Sequence, residues 1–398
     1  MGSLKNCLLT LNGGSSSIKF SLFEMAEPLT ALFSGEIESI GTTNTRLNII
    51  DITLKKNSIP ITVSDQAEAA HFLIDWLEKQ EGFTSIKAIG HRIVHGMKYT
   101  QPEKITTHLL DELREISAYD PEHLPGEINL IEVFSNGFPG IPQVACFDTS
   151  FHTSMPGVAK LLPIPARFRA KGIQRYGFHG LSYSFLMKEL NRLAGSEAAK
   201  GKIILAHLGN GASLAAVKDG KSIDTSMGFT PASGLPMGTR TGDLDPGVAL
   251  YLMQAEKLTA REFSDLIHHQ SGLLGVSGTS SDMRELLKSQ HTDTRAAEAV
   301  ELFCYQAKKW TGSFAAALGG LDSLVFSGGI GEHAPEVRSR VCTGLEFLGI
   351  ELDENKNANN ETIISTTAAR VKVYVIKTNE ELMIAKLVCE VLNNSTKN

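Results

Sequence analysis

The first apolar segment of the chain ends in a polar turn and is followed by a second strand pattern. Residues 8–11 are mainly apolar and lead into Asn-Gly-Gly-Ser-Ser-Ser at 12–17, after which Ile18, Phe20 and Leu22 alternate with polar residues. Alternation with a period of two is typical of a strand with one buried face, so we predict a β-hairpin here. Its glycines, serines and backbone N–H groups are typical of a nest that holds phosphate. An ordinary polar turn is the alternative.

A similar pattern begins again near the middle of the chain. Residues 202–217 contain an apolar run, a short glycine-rich turn and a second apolar run. Aligning Gly211 with Gly14 places Ser213 on Ser16, and the two hairpins then lie 197 residues apart, about half the chain. We therefore predict a duplicated domain, in which the two hairpins face each other across a nucleotide-binding cleft.

Strand and helix patterns alternate along the rest of the chain. Residues 224–245 are irregular and rich in glycine, as in loops that wrap a ligand. The pattern predicts an α/β protein. Predicted strands cover residues 35–52, 58–63, 88–96, 143–148, 324–327 and 371–376; predicted helices cover 65–80 with Ser64 as cap, 109–117, 246–257, 260–270, 294–318, a segment from about 335, and 382–392.

Composition narrows the class of protein. The 398 residues are 42% hydrophobic and 21% charged, which fits an ordinary globular protein of about two domains. A net charge of −6 argues against a nucleic-acid surface, and no apolar run is long enough to suggest a membrane span. The N-terminus enters the first strand directly, so we expect no signal peptide. Five scattered cysteines without a CxxC motif favour reduced thiols and a cytoplasmic location.

Two glycine motifs have features of known nucleotide-binding signatures. Residues 195–202 have the wrong spacing for a Walker A loop, and Ile203 follows the lysine. Residues 329–334 match the G-x-G-x-x-A fingerprint of dinucleotide-binding proteins, after a predicted strand and before a predicted helix. A dehydrogenase is therefore one alternative, although the late position and the lack of a surrounding βαβαβ repeat argue against NAD. A glycine turn packed against adenosine explains the motif equally well.

Two pairs of side chains are candidate metal ligands. His91 and His95 are four residues apart on a predicted strand, but nothing nearby completes a zinc site. Asn12 and Glu380 instead offer the oxygen ligands that Mg²⁺ prefers. Because Mg²⁺ keeps most of its waters and binds phosphates, it needs few protein ligands. We predict Mg²⁺ at this pair, with Mn²⁺ as an alternative.

Three cationic side chains stand in strand or glycine-rich sequence, where a cation is costly to bury without an anion: Arg92, His179 and Arg240. Each alone could belong to a structural ion pair, but with two phosphate-type turns they indicate a site for several negative groups. Arg92 and Val94 would point to the same face of their strand. Asp148 ends a strand where open α/β sheets bind ligands, although it could equally cap that junction. There is no G-x-S-x-G signature of covalent catalysis.

Together, nine motifs in order along the chain resemble the acetate kinase (acetokinase) family, which shares the duplicated fold of actin, the sugar kinases and the heat-shock ATPases. The motifs are residues 12–19, 91–95, 147–149, 176–180, 207–211, 234–240, 281–284, 328–332 and 378–381. The resemblance implies two actin-like (ribonuclease H-like) domains with a nucleotide cleft between them. One would comprise residues 1–148 closed by the C-terminal helix at 382–398, and the other residues 149–381. It also implies a homodimer.

The resemblance further implies reversible, Mg²⁺-dependent transfer of the γ-phosphoryl group of ATP to acetate, giving acetyl phosphate and ADP. Such chemistry needs positive charge and alignment rather than a general base, because a carboxylate is already a nucleophile. By similarity, the catalytic residues are Arg92, Asp148, His179 and Arg240, the metal ligands are Asn12 and Glu380, and the acid pocket is formed by Arg92, Val94, Leu124, Phe178 and Pro231. The nucleotide site is Ser15, Ser17, Lys19, His207, Leu208, Gly209, Asn210, Gly211, Asp282, Met283, Arg284, Gly329, Ile330, Gly331, Glu332 and His333.

The chain departs from the family's usual pattern at three places. Met97 stands where a second glycine is common, His333 where an asparagine is common, and Leu181-Ser-Tyr183 where Thr-Ser-His is common. Met97 motivates one alternative, a kinase of the same family that prefers propionate or another short-chain carboxylate. The alternative from another class is a non-catalytic nucleotide-binding protein with an actin-like fold. The intact cationic residues speak against the latter.

Overall fold

The computed structural model describes residues 6–14 and 16–395. These residues form two compact units. The first unit contains the described residues up to Ser150 together with those from Asn379 onward, and the second contains Phe151–Thr378. The sequence predicts domain limits after residues 148 and 381, within a few residues of the limits of these units. Whether the predicted limits are those of true domains stays a prediction.

The first unit is built on a mixed sheet. Its strands are β1 (Cys7–Gly13), β2 (Ile18–Glu24), β3 (Thr30–Glu38), β4 (Arg46–Asp51), β5 (Lys56–Pro60), β6 (Ile86–Ile93), β7 (Glu103–Lys104) and β8 (Gln143–Phe147). Within the described residues their order is β5-β4-β3-β2-β1-β6-β8-β7. The first five strands pair antiparallel, whereas β6 runs parallel to β1, and β8 parallel to β6. The carboxyl ends of β1, β6 and β8 therefore meet at one edge.

Helices cover both faces of this sheet, which is why every residue of β1 is buried. They are α1 (Gln66–Leu77), α2 (Thr107–Glu115), α3 (Leu124–Gly137) and α15 (Glu380–Ser395). Ile89 packs into the cluster that contains Leu73 of α1 and Phe134 of α3. Its neighbour Gly90 points to the other face, where a Cβ would lie 2.5 Å from Ile384 of α15. A glycine is needed here because the helix approaches so closely.

The second unit repeats the arrangement of the first. Its strands are β9 (Lys202–Leu208), β10 (Ala212–Lys218), β11 (Lys221–Thr225), β12 (Ser323–Ser327) and β13 (Lys372–Val375). Within the described residues they are ordered β11-β10-β9-β12-β13. The first three pair antiparallel, β12 runs parallel to β9, and β13 parallel to β12. Strands β3-β2-β1-β6-β8 of the first unit have the same order and directions, so the topology is duplicated.

The helices of the second unit are more numerous and surround its shorter sheet. The longest, α11, has an apolar face of alanine and phenylalanine that packs against β9 and β10. Helix α6 is interrupted at Gly195, whose backbone is not helical. The helices are α4 (Gly157–Lys160), α5 (Ala166–Arg169), α6 (Gly180–Lys200), α7 (Pro246–Gln254), α8 (Ala260–His269), α9 (Gly272–Ser277), α10 (Met283–Ser289), α11 (Thr294–Leu318), α12 (Gly328–His333), α13 (Pro335–Cys342) and α14 (Glu354–Ala358).

Both predicted hairpins are present, but their predicted alignment is wrong by three residues. Ser213 is the second residue of β10 and pairs with His207, whereas Ser16 lies in the turn before β2. The second residue of β2 is Lys19. The alignment pairs Gly211, the last residue of the second turn, with Gly14, the first residue of the first turn, and the second turn is also one residue shorter.

Three local predictions also need correction. Strand β6 ends at Ile93, so Val94 lies beyond it and the argument that Arg92 and Val94 share a strand face does not apply. Helix α1 is capped by Asp65, which accepts the Glu68 N–H, rather than by Ser64. Helix α15 begins at Glu380 rather than at residue 382, so Glu380 belongs to a first helical turn.

No helix in the described part of the chain has the length and apolar character needed to cross a membrane. All five cysteines are free thiols; four of them are buried and Cys389 is half-buried.

Candidate active site

Arg92 and Asp148 form an ion pair at the carboxyl edge of the first sheet. Arg92 lies near the end of β6, and Asp148 directly follows the neighbouring strand β8. Both Nε and Nη2 of Arg92 donate to Asp148 Oδ2, at 2.8 and 2.7 Å. Asp148 is fully buried, whereas 15% of the Arg92 side chain is exposed. Asp148 therefore holds the guanidinium of Arg92 in a fixed orientation, and its catalytic role stays a prediction.

Asn12 and Glu380 lie beside this pair. Asn12, at the end of β1, donates from Nδ2 to Glu380 Oε2 at 3.0 Å, and Arg92 Nη1 approaches Asn12 Oδ1 at 3.4 Å. Among the described residues there is no group of three or more His, Cys, Asp or Glu side chains that could hold a metal ion. One carboxylate and one amide oxygen nevertheless fit Mg²⁺, which binds proteins through one or two oxygen ligands and takes the rest from water and phosphates.

Glu127 adds a buried carboxyl group that the sequence analysis missed. It lies on α3, is 4% exposed, and both of its oxygens accept the Val94 N–H, at 3.0 and 3.1 Å. Burial, with smaller contributions from Asp120 and Asp148, raises the pKa of Glu127 to about 8 against the opposing effects of Arg92 and the Val94 N–H. Glu127 thus holds the backbone just beyond β6 and is largely protonated at neutral pH.

Three carboxyl groups act on the guanidinium of Arg92. Burial alone would lower the pKa of Arg92, but the carboxylates of Asp148, Glu380 and Glu127 outweigh it and raise that pKa. The guanidinium therefore stays charged at every working pH. It is the cation around which the polar groups of the first unit are arranged.

In the second unit, two stacked imidazole rings are held by serine hydroxyls. His179 precedes α6 in a left-handed backbone conformation, and its ring lies 4.4 Å from that of His207 on β9. His179 Nδ1 is 2.8 Å from Ser213 Oγ on β10, and His207 Nδ1 is 2.8 Å from Ser182 Oγ on α6. A serine of the hairpin thus holds the imidazole at the start of α6, and a serine of α6 holds the imidazole of the hairpin.

Both rings direct Nε2 toward the glycine turn of the second hairpin. A Cβ at Gly211 would lie 3.1 Å from His179 Nε2 and 3.9 Å from Arg240 Nη1. A Cβ at Gly209 would lie 3.9 Å from His207 Nε2. Arg240 also donates to the Pro231 carbonyl at 3.2 Å. The structure therefore brings together His179, Arg240 and the predicted phosphate-type turn.

A second glycine turn, at the start of α12, lies close to the first. Gly328 has a φ of +75° and its position would place a Cβ 2.6 Å from the Leu208 carbonyl oxygen, so only glycine fits. Glu332 accepts the N–H groups of Gly328 and Thr378, both at 3.0 Å. The fully buried Arg338 donates to the Gly331 carbonyl at 2.8 Å. Glu332 therefore supports the turn, and its contact with a nucleotide stays a prediction.

The other predicted nucleotide residues lie in several environments. Ser15 lies outside the described residues. In the first unit, Lys19 is exposed and Ser17 is half-buried. In the second, the side chains of Leu208 and Met283 are buried, so these residues can meet a ligand only through their backbone. Asp282 caps α10 and pairs with Arg284 at 2.5 Å, Asn210 and His333 are exposed, and Ile330 is half-buried.

The residues predicted for the acid pocket belong to both units, and each is described within its own unit. Val94 and Leu124 are buried in the first unit, whereas Phe178 and Pro231 are buried in the second. His152 Nε2 donates to the Phe178 carbonyl at 3.0 Å, and burial lowers the pKa of His152 to about 4, so the ring is neutral. His152 therefore fixes the segment that leads to His179.

Four supporting residues were not recognised in the sequence: Glu127, His152, Tyr183 and Ser213. Each acts on a residue distant in the chain, and a single sequence carries no signal of such pairing. In the sequence, Tyr183 is visible only as a departure from the Thr-Ser-His run that is common in the family. A hydroxyl at 213 within an apolar strand was the one detectable hint, since a buried serine needs a partner.

Comparison with known proteins identifies the family. The sequence profile described as the acetokinase family matches residues 7–386. The chain belongs to this family. It is 43% identical over 390 residues to an acetate kinase of Rhodopseudomonas palustris, and the match covers 96% of this chain and 98% of that protein. The nine-motif resemblance is thereby confirmed.

Solved structures of this acetokinase family confirm the fold. The crystal structure of Porphyromonas gingivalis acetate kinase has a TM-score of 0.87 at 38% identity, covering 97% of this chain and 100% of that one. A propionate kinase from Francisella tularensis has a TM-score of 0.90 at 37% identity, covering 96% and 98%. The α/β fold with two duplicated actin-like units is confirmed. The chain is a phosphotransferase with a carboxyl group as acceptor and ATP/ADP as co-substrate, and the dehydrogenase alternative is set aside.

Proposed function

We propose that the protein is an acetate kinase, which reversibly transfers the γ-phosphoryl group of ATP to acetate. The observation that carries this proposal is the Arg92 cluster: one guanidinium, oriented by a buried Asp148, beside the oxygen pair of Asn12 and Glu380. A carboxylate acceptor requires a fixed cation, and a phosphoryl donor requires oxygen ligands for its metal ion. Arg92 and Asn12 lie at the carboxyl edge of the first sheet, and Glu380 lies beside them at the start of α15.

In the first unit, Arg92 would bind the acetate carboxylate. The buried apolar side chains of Val94 and Leu124 support a methyl-binding role, and Glu127 would hold Val94 in place through its backbone. Phe178 and Pro231 are the apolar groups that the second unit would contribute. Such a pocket discriminates weakly between short acids, since one methylene is worth about 1–3 kcal/mol.

The transfer needs no general base. One acetate oxygen forms a bond to the γ-phosphorus while the bond from that phosphorus to the β–γ bridging oxygen breaks, and ADP leaves with the electron pair. In the second unit, His179 Nε2 and the Arg240 guanidinium would donate to oxygens of the phosphoryl group in transit. Their convergence on Gly211 supports this assignment. Fixed donors of this kind stabilise charge as it develops.

Asn12 and Glu380 would hold the metal ion, Mg²⁺ or Mn²⁺. When bound, the ion supplies charge neutralisation at the phosphate oxygens. For the nucleotide we propose contacts from Ser15, Ser17 and Lys19 in the first unit. In the second unit we propose contacts from residues 207–211, 282–284 and 329–333.

Trapping the acyl phosphate with hydroxylamine tests the proposal. Purified protein is given ATP, Mg²⁺ and acetate, propionate or butyrate in parallel reactions. We expect the strongest hydroxamate signal with acetate. A folded protein that binds ATP but yields no hydroxamate with any acid would overturn the proposal and favour the non-catalytic alternative.

A preference for propionate is the second candidate. It is favoured by Met97, which is half-buried where the family commonly has glycine, and by the equally close fold of a propionate kinase. The ratio of kcat/KM values for acetate and propionate decides between them. A higher value for propionate would keep the mechanism and change the substrate.

We also propose a cytoplasmic homodimer. Helix α7 is largely apolar but has no buried residue, and its Leu250 and Tyr251 are 59% and 60% exposed. A second copy covering this face is the natural partner for such a surface. Light scattering should report twice the mass of 43.1 kDa, and Leu250→Asp should shift it to the monomer. The free thiols support a reducing compartment.

A further inference from the structure

Tyr183 extends the hydrogen bond between His179 and Ser213 by one further group. It lies one helical turn beyond His179 and is fully buried, and its hydroxyl lies 2.5 Å from Ser213 Oγ. Its backbone N–H donates to the His179 carbonyl at 3.0 Å, so the two residues share the first turn of α6. A phenol, an alcohol and an imidazole nitrogen therefore stand in a row.

The chemistry of these groups favours one direction for the protons. A phenol is a stronger donor than an aliphatic alcohol, and an imidazole lone pair is a stronger acceptor than a hydroxyl oxygen. Tyr183 donating to Ser213, and Ser213 donating to His179 Nδ1, places the strongest donor first and the strongest acceptor last. Each bond then polarises the next. With Nδ1 as acceptor, the neutral ring of His179 carries its proton on Nε2.

The position of His179 Nε2 suits a hydrogen-bond donor. It faces the turn of the second hairpin, 3.1 Å from where a Cβ at Gly211 would lie, on the same side as Arg240. An N–H at this position can donate to a phosphate oxygen, whereas the other tautomer would present a lone pair to it. Donors must be in place before charge develops if they are to stabilise it.

We propose that Tyr183 and Ser213 are positioning residues that hold neutral His179 in its Nε2–H tautomer. The inference rests on the proposed function for the identity of the acceptor, the phosphoryl group in transit. The tautomer itself is a property of the folded protein without substrate. Tyr183 stands where the family commonly has histidine, so this chain uses a phenol to set the ring.

Nuclear magnetic resonance of full-length protein with ¹⁵N-labelled histidine tests the tautomer directly. Long-range ¹H–¹⁵N spectra are recorded at a pH of about 8, where an ordinary histidine is neutral, and His179→Gln identifies the signals of His179. We expect only the Nε2–H form in the unmodified protein. Ser213→Ala and Tyr183→Phe should each introduce the Nδ1–H form, with Ser213→Ala giving more of it.

The His207 ring supplies a matched control. Ser182 holds His207 as Ser213 holds His179, so Ser182→Ala should change the His207 signals and leave the tautomer of His179 unchanged. Tyr374→Phe removes another buried phenol of the same unit, on β13, and should change neither ring.

Kinetics separate positioning from mere packing. Supporting partners of an active group typically affect activity 10–100-fold, so we expect kcat to fall about tenfold in Tyr183→Phe and up to about a hundredfold in Ser213→Ala. KM for the acid and for ATP should stay within about twofold, because both side chains are fully buried in the folded protein. Tyr183→His keeps a donor and should retain more activity than Tyr183→Phe. Tyr374→Phe should remain fully active.

An Nδ1–H tautomer in the unmodified protein would overturn the inference, as would an unchanged tautomer in both Ser213→Ala and Tyr183→Phe. Thermal melting and ADP calorimetry verify that the variants are folded. If Ser213→Ala is unfolded, the pair Tyr183→Phe and Tyr183→His carries the test. A protein that forms no acyl phosphate but shows these tautomer changes would overturn the proposed function and leave the positioning of His179 intact.

Discussion

The Arg92 cluster of the first unit and the His179 cluster of the second are built from opposite kinds of chemistry. Around Arg92, one guanidinium is surrounded by the carboxyl groups of Asp148, Glu127 and Glu380, which outweigh its burial and raise its pKa. Burial raises the pKa of Glu127 against the opposing field of Arg92. Around His179, the Ser213 hydroxyl is hydrogen-bonded to the imidazole, the Tyr183 hydroxyl contacts Ser213, and the His207 ring stacks on the imidazole. Charge balance organises the first cluster, and donor direction organises the second.

The two clusters should tolerate substitutions differently. In a buried charged cluster, removing one member leaves its partners uncompensated, so function and stability are lost together. In a neutral hydrogen-bonded cluster, removing one member changes the direction of donors but leaves no buried charge. Substitutions in the two units should therefore separate activity from stability in different ways.

Arg92→Ala should have the largest effect. Loss of a fixed donor to the reacting groups should lower kcat by about 10³-fold, while ADP affinity stays nearly unchanged. Because Asp148 is fully buried, the variant should also lose about 3 kcal/mol or more of stability. Hydroxamate assays, calorimetry with ADP and urea unfolding measure the three quantities.

His179→Ala is the matched variant in the cluster of the second unit. It should also lose most of its turnover, but its urea midpoint should stay much closer to that of the unmodified protein. If both variants lose similar stability, the contrast between the two clusters is wrong. If Arg92→Ala loses ADP affinity, Arg92 has been assigned to the wrong ligand.

Glu380→Gln should have the next largest effect, on the metal ion. It keeps the size of the side chain but replaces a carboxylate oxygen by an amide, so we expect the Mg²⁺ concentration for half-maximal activity to rise about 10–100-fold. Activity should disappear on chelation with EDTA and return with Mg²⁺ or Mn²⁺. Glu346→Gln, on the second unit, serves as a control. An unchanged Mg²⁺ dependence would move the metal site elsewhere.

Glu127→Gln should have a smaller effect that depends on pH. The native pKa of about 8 exceeds the ordinary value of 4.5, so the folded protein holds a proton that the unfolded chain releases between these values. The contribution of Glu127 to the free energy of unfolding is therefore fully present below the unfolded pKa of 4.5. It is lost as pH rises through the folded pKa of about 8. In the unmodified protein, the urea midpoint should therefore fall as pH rises between these two pKa values. Glu127→Gln should lack the part of this fall that Glu127 causes.

The same ionisation should be visible in substrate binding. Above a pH of about 8 the Glu127 carboxylate adds negative charge near Arg92, so KM for the acid should rise a few-fold in the unmodified protein. In Glu127→Gln it should stay flat over the same range. A parallel rise in both proteins would show that another group titrates.

Met97→Gly should have the smallest effect. Met97 has a φ of +42°, in the left-handed region that side chains other than glycine avoid at a cost of about 1–2 kcal/mol. Glycine removes this strain but gains freedom in the unfolded chain, so a net stabilisation of about 0.5–1 kcal/mol is expected. The ratio of acetate to propionate turnover should shift by less than tenfold. A destabilised variant would show that the Met97 side chain contributes more by packing than its backbone costs.

Much of the fold followed from local pattern, because strands and helices are decided over a few residues. The helix predicted over 294–318 has the bounds of α11, where Asp293 caps the start and Gly319 ends it in a left-handed conformation. Failures occurred where neighbours decide the outcome. Helices α3 and α6 went unpredicted, and the register of the second hairpin was misjudged, since turn length is set by both strands together.

Residue type and spacing along the chain are enough to specify the duplicated α/β pattern, the two glycine-rich hairpins and the set of cations and oxygen ligands. Folding is needed to bring Asp148 to Arg92, to bury Glu127 against the Val94 N–H so that its pKa rises, and to connect Tyr183 to His179 through Ser213. Protonation and donor direction depend on burial and on distances between residues far apart in the chain, and neither quantity exists before the chain has folded.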